Sequence, residues 1–188
     1  MAYTPLLATF SAGTSGAWRI VEMRTLSGPA LTAGPRLAVS HDGTVSESAV
    51  WSLSGVGSNM RYTTRDEADQ LAARQAPLDR AEAIYAALIP ISKSAEWWAL
   101  AQDERRAIYE EQSRHTTIGL EYLPQIARKL HHCRDLGGQF DFLTWFEFAP
   151  QHQAAFDAML LRMRASPEWR YVDHEIDIRL ERACDRGG

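Results

Sequence analysis

The stretch Gln139–Phe148 constrains this chain more than any other. Read in alternation, Phe140, Phe142, Thr144, Phe146 and Phe148 share one face, and Asp141, Leu143, Trp145 and Glu147 share the other. That is the period of a β-strand, whose successive side chains point to opposite sides. The first face is a nearly continuous aromatic wall, and such a wall has to be buried against another layer of structure.

The segments around this strand follow the same grammar. Leu6–Phe10, Trp18–Met23, Leu37–Ser40 and Val45–Leu53 read as short strands punctuated by Gly, Ser and Thr, so the first part of the chain is mainly β. Asp66–Arg74, with a capping Thr or Asp at its front, reads as a helix, and Ala83–Ile91 as a buried strand. The second part reads as helix over Ser94–Gln112, helix over Leu120–Cys133 ending at Gly137 and Gly138, and then the aromatic strand. A helix from Pro150 to about Ala165 follows, with Phe156, Met159, Leu160 and Met163 at helical spacing. Tyr171–Leu180 closes the chain as a strand with Val172, Ile176, Ile178 and Leu180 turned inward.

The expected fold class is therefore α+β. Two halves of similar grammar, residues 1–92 and 93–188, suggest a ferredoxin-like duplication whose sheets form an α+β barrel, with the first half reduced and mainly β. A chain of 188 residues is long enough for a real core.

Composition excludes some functions. With a net charge of −4 the chain lacks the basic excess that general nucleic-acid binding needs, although one local cation could still hold a small anion. The start has no basic region followed by an apolar core, and no run approaches about 18 uninterrupted apolar residues, so a cytoplasmic protein with no membrane partner is expected. Cys133 and Cys184 lack the spacing of a zinc or redox pair and read as ordinary reduced thiols.

Few residues announce chemistry on their own. His115 lies in Arg-His-Thr-Thr-Ile-Gly, poor helix text that reads as an interruption. Arg128 falls on the next predicted helix with apolar neighbours; on one straight helix it would stand about 20 Å from His115, so the interruption is needed if both serve one site. No zinc-protease pattern, nucleophile elbow or phosphate loop occurs. The His131–His132 pair points to different faces and is expected to be solvated, Trp97 and Trp98 read as core or interface aromatics, and Lys93 and Glu168 read as surface charges.

Four blocks in fixed order change this reading: Lys93–Trp98, Arg114–Thr117, Tyr122–His132 and Asp141–Glu147. Together they resemble the chlorite dismutase family, and the resemblance runs from about Ser58 to Leu180. It implies a haem b enzyme that converts chlorite to chloride and dioxygen by oxygen transfer to ferric haem and recombination with retained hypochlorite. His115 matches the axial iron ligand, Glu168 the carboxylate on its second ring nitrogen, and Lys93 the partner of that carboxylate. Arg128 matches the catalytic arginine that holds the anion, with Thr144 and Phe146 on the wall beside it. Tyr62 and Trp97 are similar to residues bordering the haem or its propionates, Asn59 stands near the same edge, and Gln75 resembles a glutamine that hydrogen-bonds the arginine. The reduced first half looks like the short branch of the family, which implies a homodimer. Alternatives are a coproporphyrin-haem decarboxylase, a haem carrier or sensor of the same fold, and a cofactor-free structural dimer.

Overall fold

The computed structural model describes residues 7–57 and 60–183, so Asn59 and Cys184 lie outside the described residues. Eight strands form a closed barrel: β1 (Leu7–Gly13), β2 (Trp18–Ser27), β3 (Arg36–Ser40), β4 (Trp51–Val56), β5 (Tyr85–Lys93), β6 (Ala127–His132), β7 (Phe142–Phe148) and β8 (Val172–Arg182). The order around the barrel is β1-β3-β2-β8-β5-β7-β6-β4, and every pairing is antiparallel. The first four strands run β2-β3-β1-β4 and the last four β8-β5-β7-β6, so one pattern of neighbours occurs twice. With its helices, the fold is α+β.

The alternation of β7 now has a physical meaning. Leu143 and Trp145 point into the barrel, where they pack with Phe10, Trp18, Leu37, Leu88, Ile176 and Ile178. Phe142, Phe146 and Phe148 point outward and pack with Ala87, Ile89 and Ile91 of β5 against Phe156, Met159, Leu160 and Met163. Those four belong to helix α5 (Gln153–Arg164) and are the residues whose helical spacing was read from the sequence. The sheet is thus buried on both faces along β5 and β7.

Several expectations are corrected. Phe140 precedes β7 and joins the barrel interior instead of the outer aromatic wall. The ladder has not begun there, because Asp141 turns its carboxylate to the Lys93 amide (2.7 Å) and the Trp98 indole (3.0 Å). Val172 packs on the outer cluster, beyond the irregularity at Ser92 and Lys93 in the β5–β8 pairing. The fourth strand begins at Trp51, not Val45. The boundary at residue 92 passes through β5, which bonds to β7 and β8.

The helical predictions fare unevenly. Helix α1 (Arg65–Arg74) starts on a capping box: Thr64 accepts from the Glu67 amide and Glu67 accepts from the Thr64 amide at 2.8 Å. The long helix expected over Ser94–Gln112 is instead α2 (Ala95–Ala99), α3 (Gln102–Arg106) and a π-helical turn, Ala107–Gln112. Leu100 and Ala101 are extended between α2 and α3, and Arg105 ties the break by donating to the carbonyls of Trp97, Trp98 and Leu100. Leu120–Cys133 is not a helix. Helix α4 (His115–Glu121) ends before Pro124, which has no N–H to continue it, and β6 follows with all six residues paired to β7.

Candidate functional site

The outer faces of β5, β6 and β7 form one wall of a 910 Å³ cavity. Cross-strand neighbours on that wall are Arg128–Phe146, Leu130–Thr144 and His132–Phe142. Helical segments close the cavity with His115 and Tyr109, while Leu71 of α1, Gln75 just after it, and Leu160 and Met163 of α5 complete it. A volume of this size suits a ligand larger than a simple anion.

His115 opens α4, so it lies inside a helix and not in a break. The residue before it, Arg114, is left-handed at φ 54° and turns the chain out of the π-helical segment. His115 Nδ1 stands 2.7 Å from Glu168 Oε2, and Lys93 Nζ donates to Glu168 Oε1 at 2.6 Å. Glu168 and Lys93 are 3% and 6% exposed, so neither is the surface charge that sequence alone suggested. The Glu168 amide donates to Ser113 Oγ at 2.8 Å, fastening the carboxylate to the corner before His115.

Burial by itself raises the Glu168 carboxyl. The charges of His115 and Lys93 and their hydrogen bonds outweigh it and hold the group down at about 2. An ionised carboxylate at Nδ1 favours the proton on that nitrogen, leaving the Nε2 lone pair as the free donor of the ring.

Arg128 enters from the strand wall. Its guanidinium makes no hydrogen bond and no ion pair among the described residues. It packs against Gly119, where an added β-carbon would stand 3.2 Å from Nη1 and 3.3 Å from Cζ. Gly119 is four residues after His115, so both lie on one face of α4. The sequence placed Arg128 on a helix; it belongs to β6, and this tertiary pairing brings it to the cavity.

Tyr62 and Trp97 border the same space. Tyr62 meets Trp97 edge-on at 5.9 Å and Tyr109 at 5.6 Å. Trp97 is 1% exposed, and its indole nitrogen is buried without a partner among the described residues. Thr144 and Phe146 line the cavity as expected. Gln75 does reach Arg128, but its amide donates to the backbone carbonyl at 2.9 Å and not to the guanidinium.

The histidine pair is also corrected. His131 faces Phe10 inside the barrel and His132 faces Phe142 on the cavity wall, so the two do point apart, yet both are buried. Desolvation takes His131 down to about 4 and also lowers His132. Cys133 is a buried free thiol that burial pushes up to about 12. Sequence reasoning missed Tyr109, Glu110 and Gly119. Only Gly119 left a signal, as a glycine at a helical position.

Fold and site together define an α+β barrel protein with an apolar cavity on its outer face that both His115 and Arg128 line. A family model described as chlorite dismutase matches residues 33–182, and the chain belongs to the chlorite dismutase family. The dimeric chlorite dismutase structure from Nitrobacter winogradskyi is 49% identical, covering 93% of this chain and 99% of that one with a TM-score of 0.87. A chlorite dismutase of Ideonella dechloratans is 30% identical over 128 residues, which is 64% of this chain and 41% of the relative. The chain thus spans about two fifths of that curated relative's length. A mutant chlorite dismutase from Candidatus Nitrospira defluvii shares the fold at 20% identity and a TM-score of 0.67, covering 98% of this chain and 94% of that one.

Proposed function

We propose that this protein is a haem b enzyme that converts chlorite to chloride and dioxygen, with His115 as the residue that would hold the haem iron and Arg128 as the group that would hold the anion. The observation that carries the reading is the pairing of His115 with the buried Glu168–Lys93 ion pair in an apolar cavity that the unpaired Arg128 also lines.

The donor set fits a haem. Among the described residues no cluster of three or more His, Cys, Asp or Glu side chains could hold a metal ion, so an iron bound through His115 has to bring its other ligands with it. The apolar strand wall suits a porphyrin, and the unpartnered Trp97 indole N–H on a cavity-lining residue can donate to a polar edge such as a propionate, with Tyr62 beside it. Bound haem supplies the redox-active iron at which oxygen is transferred.

The chain's own residues do the rest. Glu168 accepts the Nδ1 proton of His115, fixes the ring tautomer and makes the imidazole a stronger electron donor. Lys93 keeps that carboxylate ionised. Arg128, always protonated and planar, would bind chlorite through its donor fork and keep the oxyanion in place beside the haem, while the Phe142–Phe146 wall excludes water and strengthens the attraction. Thr144 and Phe146 shape the space beside the anion, and Gln75 steadies the Arg128 backbone from α1.

The same reading makes the chain a cytoplasmic homodimer of two ferredoxin-like halves, the first without crossover helices between its strands. Support for the dimer comes from 49% identity, over nearly all of both chains, to a protein described as dimeric. Support for the duplication comes from the repeated strand order, with the division between α1 and β5. No helix among the described residues is long and apolar enough to cross a membrane.

The experiment is oxygen evolution from chlorite by haem-loaded protein, followed on an oxygen electrode with a hypochlorite trap present. Stoichiometric oxygen supports the reading, together with an Arg128→Ala variant that keeps its haem spectrum but releases hypochlorite and bleaches. A haem spectrum with no oxygen would sink it in favour of a carrier or decarboxylase.

A further inference from the structure

Glu168 gives His115 a single hydrogen bond, and a ring held at one atom can still pivot about that bond. Two residues of the π-helical turn have no part in the mechanism above, and both act on this histidine. Tyr109 lies against the imidazole with ring centroids 4.4 Å apart and planes inclined by 20°. Glu110, 8% exposed, turns its carboxylate under the first turn of α4. Oε2 accepts from the Thr116 amide at 2.6 Å, and Oε1 accepts from the Thr117 amide at 3.2 Å and from Thr117 Oγ1 at 2.5 Å.

The first amides of a helix lack partners within it, and the residue just before usually caps them with its side chain. Here that residue is the left-handed Arg114, which makes no such bond. Glu110 supplies the cap from the preceding turn, and its negative charge suits the positive end of the helix. The π-helical turn thus sends consecutive side chains to the face of the ring and to the helix that carries it, and π turns of this sort recur at functional sites.

We infer that Glu110 is a positioning residue for His115: it pins the turn that begins with the histidine, and with Tyr109 on the ring face it fixes the direction in which Nε2 enters the cavity. The link to haem rests on the reading of His115 as the axial ligand. The orientation of the ring does not.

The test compares wild type with Glu110→Gln and with the milder Thr117→Val, which removes one of the three bonds. In haem-free protein, nuclear magnetic resonance reads the His115 Nδ1 proton and amide exchange at Thr116 and Thr117. In haemin-titrated protein, transfer to excess apomyoglobin gives the rate of haem loss, and electron paramagnetic resonance reports the axial ligand geometry. Glu110→Gln is expected to speed exchange at both amides, shift the ring-proton resonance, alter the ferric signal and accelerate haem loss about tenfold. Thr117→Val should move the same readouts by less, and it decides alone if Glu110→Gln does not fold. A lowered melting temperature with ring-proton resonance, ferric signal and haem loss all unchanged overturns the inference and leaves Glu110 a structural cap. Failure of wild type to take up haemin removes the haem reading, and the ring-proton resonance of the haem-free variants then decides the positioning role.

Discussion

Arg128 pairs directly with Phe146 across the β6–β7 ladder, so the cation of the cavity rises from an aromatic wall. Apolar surroundings weaken screening by water and make the guanidinium a stronger anion holder than it would be on an open surface.

The geometry of the fork, and not charge alone, should matter. Arg128→Ala is expected to lower kcat/KM for chlorite by about 10²–10³-fold, as removal of a key anion donor does elsewhere. Arg128→Lys should fall between this variant and wild type, because a lysine offers a point charge without the planar pair of donors. Oxygen-electrode kinetics at matched haem loading give the answer, and a lysine variant equal to wild type would show that charge suffices.

Gly119 is where α4 makes room for that guanidinium. An alanine there meets Nη1 at 3.2 Å, so Arg128 has to shift by a few tenths of an ångström. Gly119→Ala is expected to raise KM for chlorite several-fold with haem loading intact. Loss of haem without a change in KM would place the effect on α4 itself.

Glu168→Gln leaves the buried Lys93 ammonium without its counter-charge and takes the ionised acceptor from His115. The expected loss of stability is about 3–5 kcal/mol, the usual cost of breaking a buried pair by removing one partner. The reduction potential of the haem-loaded variant should rise, because the imidazole donates less charge. Denaturant unfolding and potentiometry test the two effects separately, and an unchanged potential would take Glu168 out of the role assigned to it.

His131 makes stability depend on pH. Burial holds it at about 4 in the fold, against about 6.5 when exposed, so the unfolded chain binds more protons between those values. Stability from this group is complete above about pH 6.5 and is lost as pH falls toward 4, by on the order of 3 kcal/mol in total. His131→Phe should flatten the slope in that window. Denaturation of haem-free protein at a series of pH values checks it, and an identical slope in the variant would mean that His131 takes up its proton alike in the folded and unfolded chain.

The sequence by itself determined the local pieces. The alternation of β7, the helical spacing of Phe156, Met159, Leu160 and Met163, and the capping pair Thr64 and Glu67 each encode a preference satisfied within a few residues. The ordered blocks from Lys93 to Glu147 marked the family and its candidate residues. Tertiary structure decided what local preference could not. Residues Ala127–His132 read as helix, but pairing with β7 makes them a strand and so delivers Arg128 to the cavity. The buried state of Lys93, Glu168, His131 and His132 depends on layers supplied by distant parts of the chain. The cap on α4 comes from a π-helical turn that no spacing rule reveals. Local chemistry acts over a turn or a strand, whereas pairing, burial and the approach of charges are set only when segments far apart in sequence compete for the same space.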